Sequence, residues 1–366
     1  MRLKTAVGIG AGAAAGMATL AGVGAGLAGW KLYRRLRSGE KLAGRVVMIT
    51  GASRGLGLAL AEEFAAQGAR LVICARDERE LETARARLAD LGAEVIAVPC
   101  DVSVQDQVEV VINEATARFG RIDVLVNNAG VIQVGPLESQ TLTDFQEAMD
   151  VMFWGTVYPT LAVLPQMRRR GSGHIANITS IGGKVSVPHL LPYSCAKFAA
   201  VGFSEGLRAE LGGQGIKVTT VVPGLMRTGS HLNAYFKGKN QEEFTWFSLG
   251  ATLPVMAMSA RRAARRIVSA IRRGQAEVVL TPQAKALALM HGVAPGSTAD
   301  VLGLVNRVLP ESEGRGRERR LGRESETRLT RSFVTALGRK AARELNQENV
   351  GTAGGPSGTS PTAQPA

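Results

Sequence analysis

The feature that most limits the fold begins at Arg45, where apolar runs of strand length start to alternate with longer amphipathic segments. The runs cover residues 46–50, 71–75, 94–99, 124–127, 174–178, 217–222 and 277–280. Such alternation marks βαβ units and a parallel sheet. The expectation is an α/β fold, a doubly wound parallel sheet of Rossmann type with about seven strands and helices on both faces. A ligand then belongs beyond the carboxyl ends of the strands.

The flanks of this region read differently. With 366 residues and 45% apolar content the chain can bury a full core. We divide it into a Gly/Ala-rich membrane anchor with a basic flank at residues 1–40 and a Rossmann domain at 41–285. A helical extension at 286–310 and a basic, mostly disordered tail at 311–366 complete the division. The net charge of +13 is concentrated at the ends, which carry +8 of it, and no zinc-finger spacing or aromatic RNA-binding signature turns it into specific nucleic-acid recognition. Thr5 to Trp30 are 26 uncharged residues, which as a helix span about 39 Å, enough for a bilayer core. Gly and Ala fill 17 of these positions, so a secretory signal or a flexible leader stands beside the anchor reading. Gly8, Gly12 and Gly16 repeat at the spacing of a close-packed membrane helix. Lys31, Arg34, Arg35 and Arg37 outnumber Arg2 and Lys4, which places the downstream domain on the cytoplasmic side. In the tail, Leu329, Phe333, Leu337, Ala341 and Leu345 recur every four residues, so a basic amphipathic helix competes there with a solvated chain.

Directly after the first run stands Thr50-Gly51-Ala52-Ser53-Arg54-Gly55-Leu56-Gly57, followed by a helical pattern through Phe64. Glycines here let the backbone turn sharply and approach a pyrophosphate, whose charge meets the free N–H groups and positive dipole of the helix start. An ordinary tight strand–helix connection has the same look, and position after the first strand favours the phosphate reading. The spacing resembles the Thr-Gly-x-x-x-Gly-x-Gly motif of short-chain dehydrogenases/reductases. Further motifs stand in that family's order: Asp101-Val102, Asn127-Asn128-Ala129-Gly130, Ser180, Tyr193-x-x-x-Lys197, and Pro223-Gly224 with Thr228. The resemblance covers residues 42–282, about two thirds of the chain, and is greatest to members that act on steroids, retinoids and other lipophilic alcohols or carbonyls.

The resemblance implies a nicotinamide cofactor held by Gly51, Ser53, Arg54, Gly55, Leu56, Gly57, Arg76, Asp101, Val102, Asn128, Ala129, Gly130, Tyr193, Lys197, Pro223, Gly224 and Thr228. Asp101-Val102 corresponds to the adenine contact, and Thr228 to the residue that holds the carboxamide. Small Ala129 and Gly130 let the cofactor lie close, and an Asn can tie adjacent strands together. An acid at the end of the second strand would bond a ribose 2′-hydroxyl, whereas a 2′-phosphate needs cations. That strand ends Cys74-Ala75-Arg76. Arg76 with Arg54 forms a pair that favours NADP(H) over NAD(H), although each alone reads as a solvated arginine.

Tyr193 and Lys197 stand one helical turn apart, on one face. A free tyrosine, with a pKa of about 10, is a poor proton-transfer group at neutral pH, and an ammonium beside it lowers that value. By resemblance, Tyr193 donates a proton to the carbonyl oxygen as hydride arrives. Lys197 holds the ribose hydroxyls and tunes Tyr193, and Ser180 orients the substrate. One position departs from the family: Met152, in Asp150-Val151-Met152-Phe153-Trp154-Gly155, stands where an asparagine usually supports a water relay behind the lysine. A thioether accepts weakly and donates nothing, so slower proton supply is expected.

The remaining residues have plainer readings. Cys74, Cys100 and Cys195 suggest neither disulfides nor a metal cage. His174, His189, His231 and His291 are scattered, and His189 is either a loop residue or a substrate contact. Tyr235, Phe236, Phe244, Trp246 and Phe247 lie where the family builds its substrate lid, so they suit a bulky apolar ligand, a neighbouring subunit or a bilayer surface equally. The arginines at 261, 262, 265, 266, 272 and 273 make a solvated helix face, available to anionic headgroups if the anchor holds. The expected function is NADP(H)-dependent interconversion of a lipophilic carbonyl and alcohol at a membrane, in a chain that can form homo-oligomers. The alternative is a weakly catalytic NADP-binding scaffold, motivated by Met152 and the long basic tail.

Overall fold

The computed structural model describes residues 39–253, 256–311, 316–330 and 335–348. Side-chain alternation decides how its central sheet is covered. In Val46–Thr50 (β1), Val47 and Ile49 face one way and Val46 and Met48 the other, all buried. Arg70–Ala75 (β2), Val95–Pro99 (β3), Val124–Asn127 (β4), Gly173–Ile178 (β5), Ile216–Val222 (β6) and Glu277–Val279 (β7) join it in the order β3-β2-β1-β4-β5-β6-β7. Every neighbouring pair is parallel. The winding direction reverses between β1 and β4, so the crevice that can take a ligand opens at their carboxyl ends. This is the doubly wound Rossmann sheet expected from the apolar runs.

The helices, in chain order, are Gly55–Ala65 (α1), Glu78–Asp90 (α2), Gln105–Phe119 (α3), Leu142–Met149 (α4), Gly155–Arg170 (α5), Leu191–Leu211 (α6), Asn240–Thr252 (α7), Ala260–Arg272 (α8), Pro282–Val293 (α9), Pro295–Asn306 (α10) and Ala336–Glu344 (α11). On the Val47 face, α1, α2 and α8 bury Leu58, Phe64, Leu81, Leu88, Ile267 and Ile271. The opposite face is covered by α3, α5 and α6 through Val111, Ile112, Val163, Met167, Leu207 and Leu211. Local signals set the helix ends: Asp77 caps α2 by accepting from Glu80 N at 2.8 Å, and Gly120 closes α3 in the left-handed region. In α8 the expected division holds, with Ala263, Ala264, Ile267 and Val268 buried and Arg261, Arg262 and Arg265 exposed.

Both sides of the sequence domain assignment show details beyond the expectation. The extension at 286–310 is a helix pair, α9 and α10, with Leu289, Val293, Leu304 and Val308 exposed. The tail, expected mostly disordered, is ordered at 316–330 and 335–348. Arg320–Leu321 pairs antiparallel with Tyr235–Phe236, which in turn runs parallel to Gln133–Val134. Helix α11 does form, over part of the expected stretch, but it buries Gly338 and Ala342, with Leu345 at its end, while Leu337 and the preceding Leu329 are exposed. The tail is too poor in apolar residues to build a core of its own, and it docks instead on a core already present. Among the described residues no helix is long and apolar enough to cross a membrane. The candidate anchor at residues 5–30 lies outside the described residues.

Candidate active site

The turn after β1 is shaped so that only hydrogen fits at Gly57. A Cβ there would lie 2.1 Å from Gly51 O and 2.6 Å from Asn128 Nδ2. Thr50 and Asn128 bind the turn to the end of β4: Thr50 Oγ1 accepts from Asn128 N at 2.9 Å and Ala129 N at 3.1 Å, and Asn128 Nδ2 donates to Thr50 O and Gly51 O at 3.0 Å. Asn128 thus ties the turn after β1 to the end of β4. Its neighbour Asn127 points inward, donating to Thr160 Oγ1 at 3.0 Å and Asn177 Oδ1 at 2.8 Å, and the network runs on through Ser204 to Thr220. Asp101 closes its own turn by accepting from Ser103 N and Oγ, and Val102 is buried beside Gly155.

The two arginines are brought to this end of the sheet, but neither stands alone. Arg54 Nη1 bonds Glu80 Oε1 at 2.9 Å, and Glu80 also accepts from Ser53 Oγ at 3.2 Å. Burial pushes the Glu80 carboxyl up, against the pull of Arg54. Arg76 Nη1 lies 3.9 Å from Asp101 Oδ2. Sequence reading missed Glu80, since an acid in the first turn of α2 looks like an ordinary helix-start residue.

Ser180, Tyr193 and Lys197 meet at the carboxyl end of β5. Ser180 Oγ accepts from Gly182 N at 3.0 Å, which fixes its rotamer, and Ile181 N donates to Pro223 O at 2.8 Å, joining this loop to the Pro223-Gly224 turn. The Tyr193 ring passes over Gly182, where a Cβ would come within 3.1 Å of Cε1. Lys197 is 5% exposed. Its Nζ donates to Ile178 O at 2.9 Å and lies 5.8 Å from the centre of the Tyr193 ring. Burial lowers the Lys197 pKa to about 8. Burial also raises the Tyr193 pKa, offset in part by the Ser180 hydroxyl. Desolvation of the phenolate is the largest influence on Tyr193, and the Ser180 hydroxyl is the group that opposes it.

Met152 is buried in a π-helical turn, Asp150–Trp154, that separates α4 from α5. Its Sδ and Lys197 Nζ both lie within 4 Å of a Cβ placed on Gly130, at 3.7 and 3.9 Å. Met152 and Lys197 thus both border Gly130, Met152 packs with Val131, Ala148 and Ala196, and the Met152 carbonyl accepts from Thr156 Oγ1 at 2.9 Å.

Beyond Pro223 the lid spends most of its aromatic content on itself. Phe236, Phe244 and Phe247 are buried together with Val134, Leu232, Ala234 and Ala342, leaving Tyr235 and Trp246 half-buried. Thr228 is buried and bonds Ser230 through Oγ1 at 2.9 Å. His189 is no plain loop residue: it is buried in the left-handed region at φ 62°, and Nδ1 is 2.7 Å from Glu243 Oε1. Glu243 also accepts from Trp246 Nε1 at 2.7 Å. Nothing in the spacing of His189 and Glu243 announces this pairing, which is made only when the lid folds over the loop.

A nicotinamide dinucleotide fits these residues. Gly51 and Gly57 pack the turn tightly at the start of α1, where helix N–H groups and the dipole suit a phosphate although Gly55 N is already taken by Leu345 O, and Lys197 has N–H capacity beyond its bond to Ile178. Such a crevice, with a Ser, a Tyr and a Lys converging on it, defines an α/β oxidoreductase. A family model described as short chain dehydrogenase matches residues 45–236. Dehydrogenase/reductase SDR family member 7B of Danio rerio is 38% identical over 210 residues, 56% of this chain and 68% of that protein. 11-beta-hydroxysteroid dehydrogenase A of Sesamum indicum is 38% identical over 242 residues, 64% of this chain and 68% of that protein. The solved structure of a short-chain dehydrogenase from Streptomyces avermitilis matches with a TM-score of 0.63 at 33% identity, covering 72% of this chain and 98% of that one. The chain belongs to the short-chain dehydrogenase/reductase family, whose members are oxidoreductases that bind a nicotinamide cofactor.

Proposed function

We propose that this protein is an NADP(H)-dependent oxidoreductase that interconverts a lipophilic carbonyl and its alcohol, with Tyr193 as the proton-transferring residue. The convergence of Ser180, Tyr193 and Lys197 at the mouth of the crevice carries this reading. The cofactor, when bound, supplies or accepts the hydride. Ser180 Oγ is held by Gly182 N–H beside the Tyr193 phenol, so that both hydroxyls can bond the substrate oxygen. Tyr193 gives its proton to that oxygen in reduction and takes one back in oxidation. Its raised pKa keeps it protonated at neutral pH, which suits it as the acid of the reductive direction. Lys197, with one protein carbonyl as partner, has N–H groups for the ribose hydroxyls. Gly51, Leu56 and Gly57 would hold the pyrophosphate, while Gly55, of the same turn, has its N–H engaged by Leu345 O.

The preference for NADP(H) rests on Arg54 in the turn after β1 and Arg76 just after β2, a strand that no acid ends, although Glu80 and Asp101 draw on the same two cations. A lipophilic substrate is supported by the half-buried Tyr235 and Trp246 and by the hydroxysteroid dehydrogenase named above. We assign the membrane contact and cytoplasmic placement to residues 5–30, on their uncharged length and basic flank. In the test, Tyr193→Phe retains NADPH binding, followed by fluorescence titration against NADH, but loses about 10²- to 10⁴-fold in carbonyl reduction. Parent-like turnover in that variant rules the mechanism out.

A further inference from the structure

The segment that follows α11 lies against both walls of the crevice. One wall is the Gly-rich turn. Gly55 N donates to Leu345 O at 2.9 Å, and Asn346 Nδ2 donates to Ser53 O at 3.1 Å and Glu80 O at 3.4 Å. Gly55 has φ +59°, and a Cβ there would be 2.6 Å from Gln347 Nε2, so the segment is seated against the bare backbone. The other wall is the start of the lid. Asn233 Nδ2 donates to Gln347 O at 3.1 Å and to its Oε1 at 2.5 Å, and a Cβ on Gly229 would meet Ala342 Cα at 2.5 Å. Arg87 Nη1 fastens the end of the helix by donating to Glu344 O at 2.6 Å.

These contacts are built rather than incidental. Leu345, Asn346 and Gln347 are 3%, 7% and 3% exposed, and Asn346 takes the left-handed backbone that Asn tolerates. A ligand laid along the carboxyl ends of the strands has the Gly-rich turn on one side and the lid on the other. A segment bonded to both walls holds them together, and ligand release requires at least one wall to move.

We propose that Leu345, Asn346 and Gln347 form a latch that retains the dinucleotide by fastening the Gly-rich turn to Asn233 of the lid. They are positioning residues, acting through Gly55 and Asn233. The latch rests on the dinucleotide-binding reading above, and linkage gives it a signature. If the closed latch slows release by favouring the bound state, bound dinucleotide must in turn favour the closed latch. A plug competing for the Gly55 N–H would be displaced instead.

The experiment uses the full chain, an Asn346→Ala/Gln347→Ala double variant, and a chain ending at Thr335. NADPH release is followed by stopped-flow fluorescence on mixing with excess NADP⁺, and amide hydrogen exchange of residues 342–348 is followed with and without NADPH. Loss of the latch bonds speeds release about tenfold in the double variant, equal to ~1.4 kcal/mol, and at least as much in the shortened chain. NADPH slows exchange in residues 342–348 of the parent. Unchanged release in both variants overturns the latch, as does exchange that NADPH accelerates. Failure of the parent to bind NADPH overturns the functional reading itself, and is seen before either variant is compared.

Discussion

At pH 7 the ammonium of Lys197 lies below its pKa of about 8 and is therefore charged, at a position only 5% exposed. Burial disfavours the charged form, so keeping the lysine charged costs the fold stability. The sign follows from the direction of the shift. Below pH 8 the folded and unfolded chains both bind the proton and the full cost is present; between pH 8 and the ordinary lysine value the cost fades as the folded form neutralises. A shift of that size corresponds to ~3 kcal/mol at most. Lys197→Met removes the buried charge but leaves Ile178 O without its donor, an offset of ~1–3 kcal/mol. The expected outcome is a ligand-free variant with a modestly higher Tm at pH 7, an advantage that shrinks at pH 10, and with turnover lost. Thermal unfolding at the two pH values checks it, and a lower Tm at both would contradict the assignment of Lys197 as a strained functional group.

Among the elements, the lid is tied to the body by a buried ion pair. Thr141 and Asp144 form the capping box at the start of α4, Thr141 N and Oγ1 both donating to Asp144 Oδ2, and Lys237 Nζ donates to the same oxygen. Burial alone would raise the Asp144 carboxyl, but Lys237 and the Thr141 donors outweigh it and hold it below its ordinary value. Removing one partner strands the other in a dry site. Lys237→Met is expected to cost ~3–5 kcal/mol in denaturant unfolding, and adding Asp144→Asn to recover much of that loss. A double variant no more stable than the single one counts against the pair as the tie.

The seven strands were legible because each is an apolar run set between amphipathic helices, and Tyr193 and Lys197 because they stand one helical turn apart within an ordered set of family motifs. Gly57, Thr50 and Asn128 were legible as a motif, although the reason Gly57 must be bare is visible only once Gly51 O and Asn128 lie against it. The π-helical turn at Met152 leaves no mark in hydrophobic periodicity. The latch is hidden for a different reason: it binds largely through backbone carbonyls and amide side chains, and its helix buries small Gly338 and Ala342 rather than the leucines that attract notice. Glu80 and Glu243 look like surface acids until Arg54, His189 and Trp246 reach them.

For the whole molecule, two histidines folded neutral into the interior set the response to acid. His174, on β5, is buried with Nε2 2.9 Å from Thr219 Oγ1, and burial lowers its pKa to about 3. His231, in the lid, lies buried beside Phe244, and burial lowers its pKa to about 4. In both cases the unfolded chain takes up a proton near the ordinary histidine value while the fold refuses it. Stability therefore falls as pH drops below about 6.5, and goes on falling until the folded pKa is reached. The two residues act on different parts, His174 on the sheet and His231 on the lid where a Cβ on Gly338 of α11 would lie 3.4 Å from its ring. His174→Gln keeps a polar partner for Thr219 without the titration. Between pH 7 and pH 4.5 the parent should lose more stability than this variant by ~2–3 kcal/mol, read from urea unfolding at each pH. An equal loss in both would show that the acid response arises elsewhere, in carboxylates such as Asp144 whose partners depend on their charge.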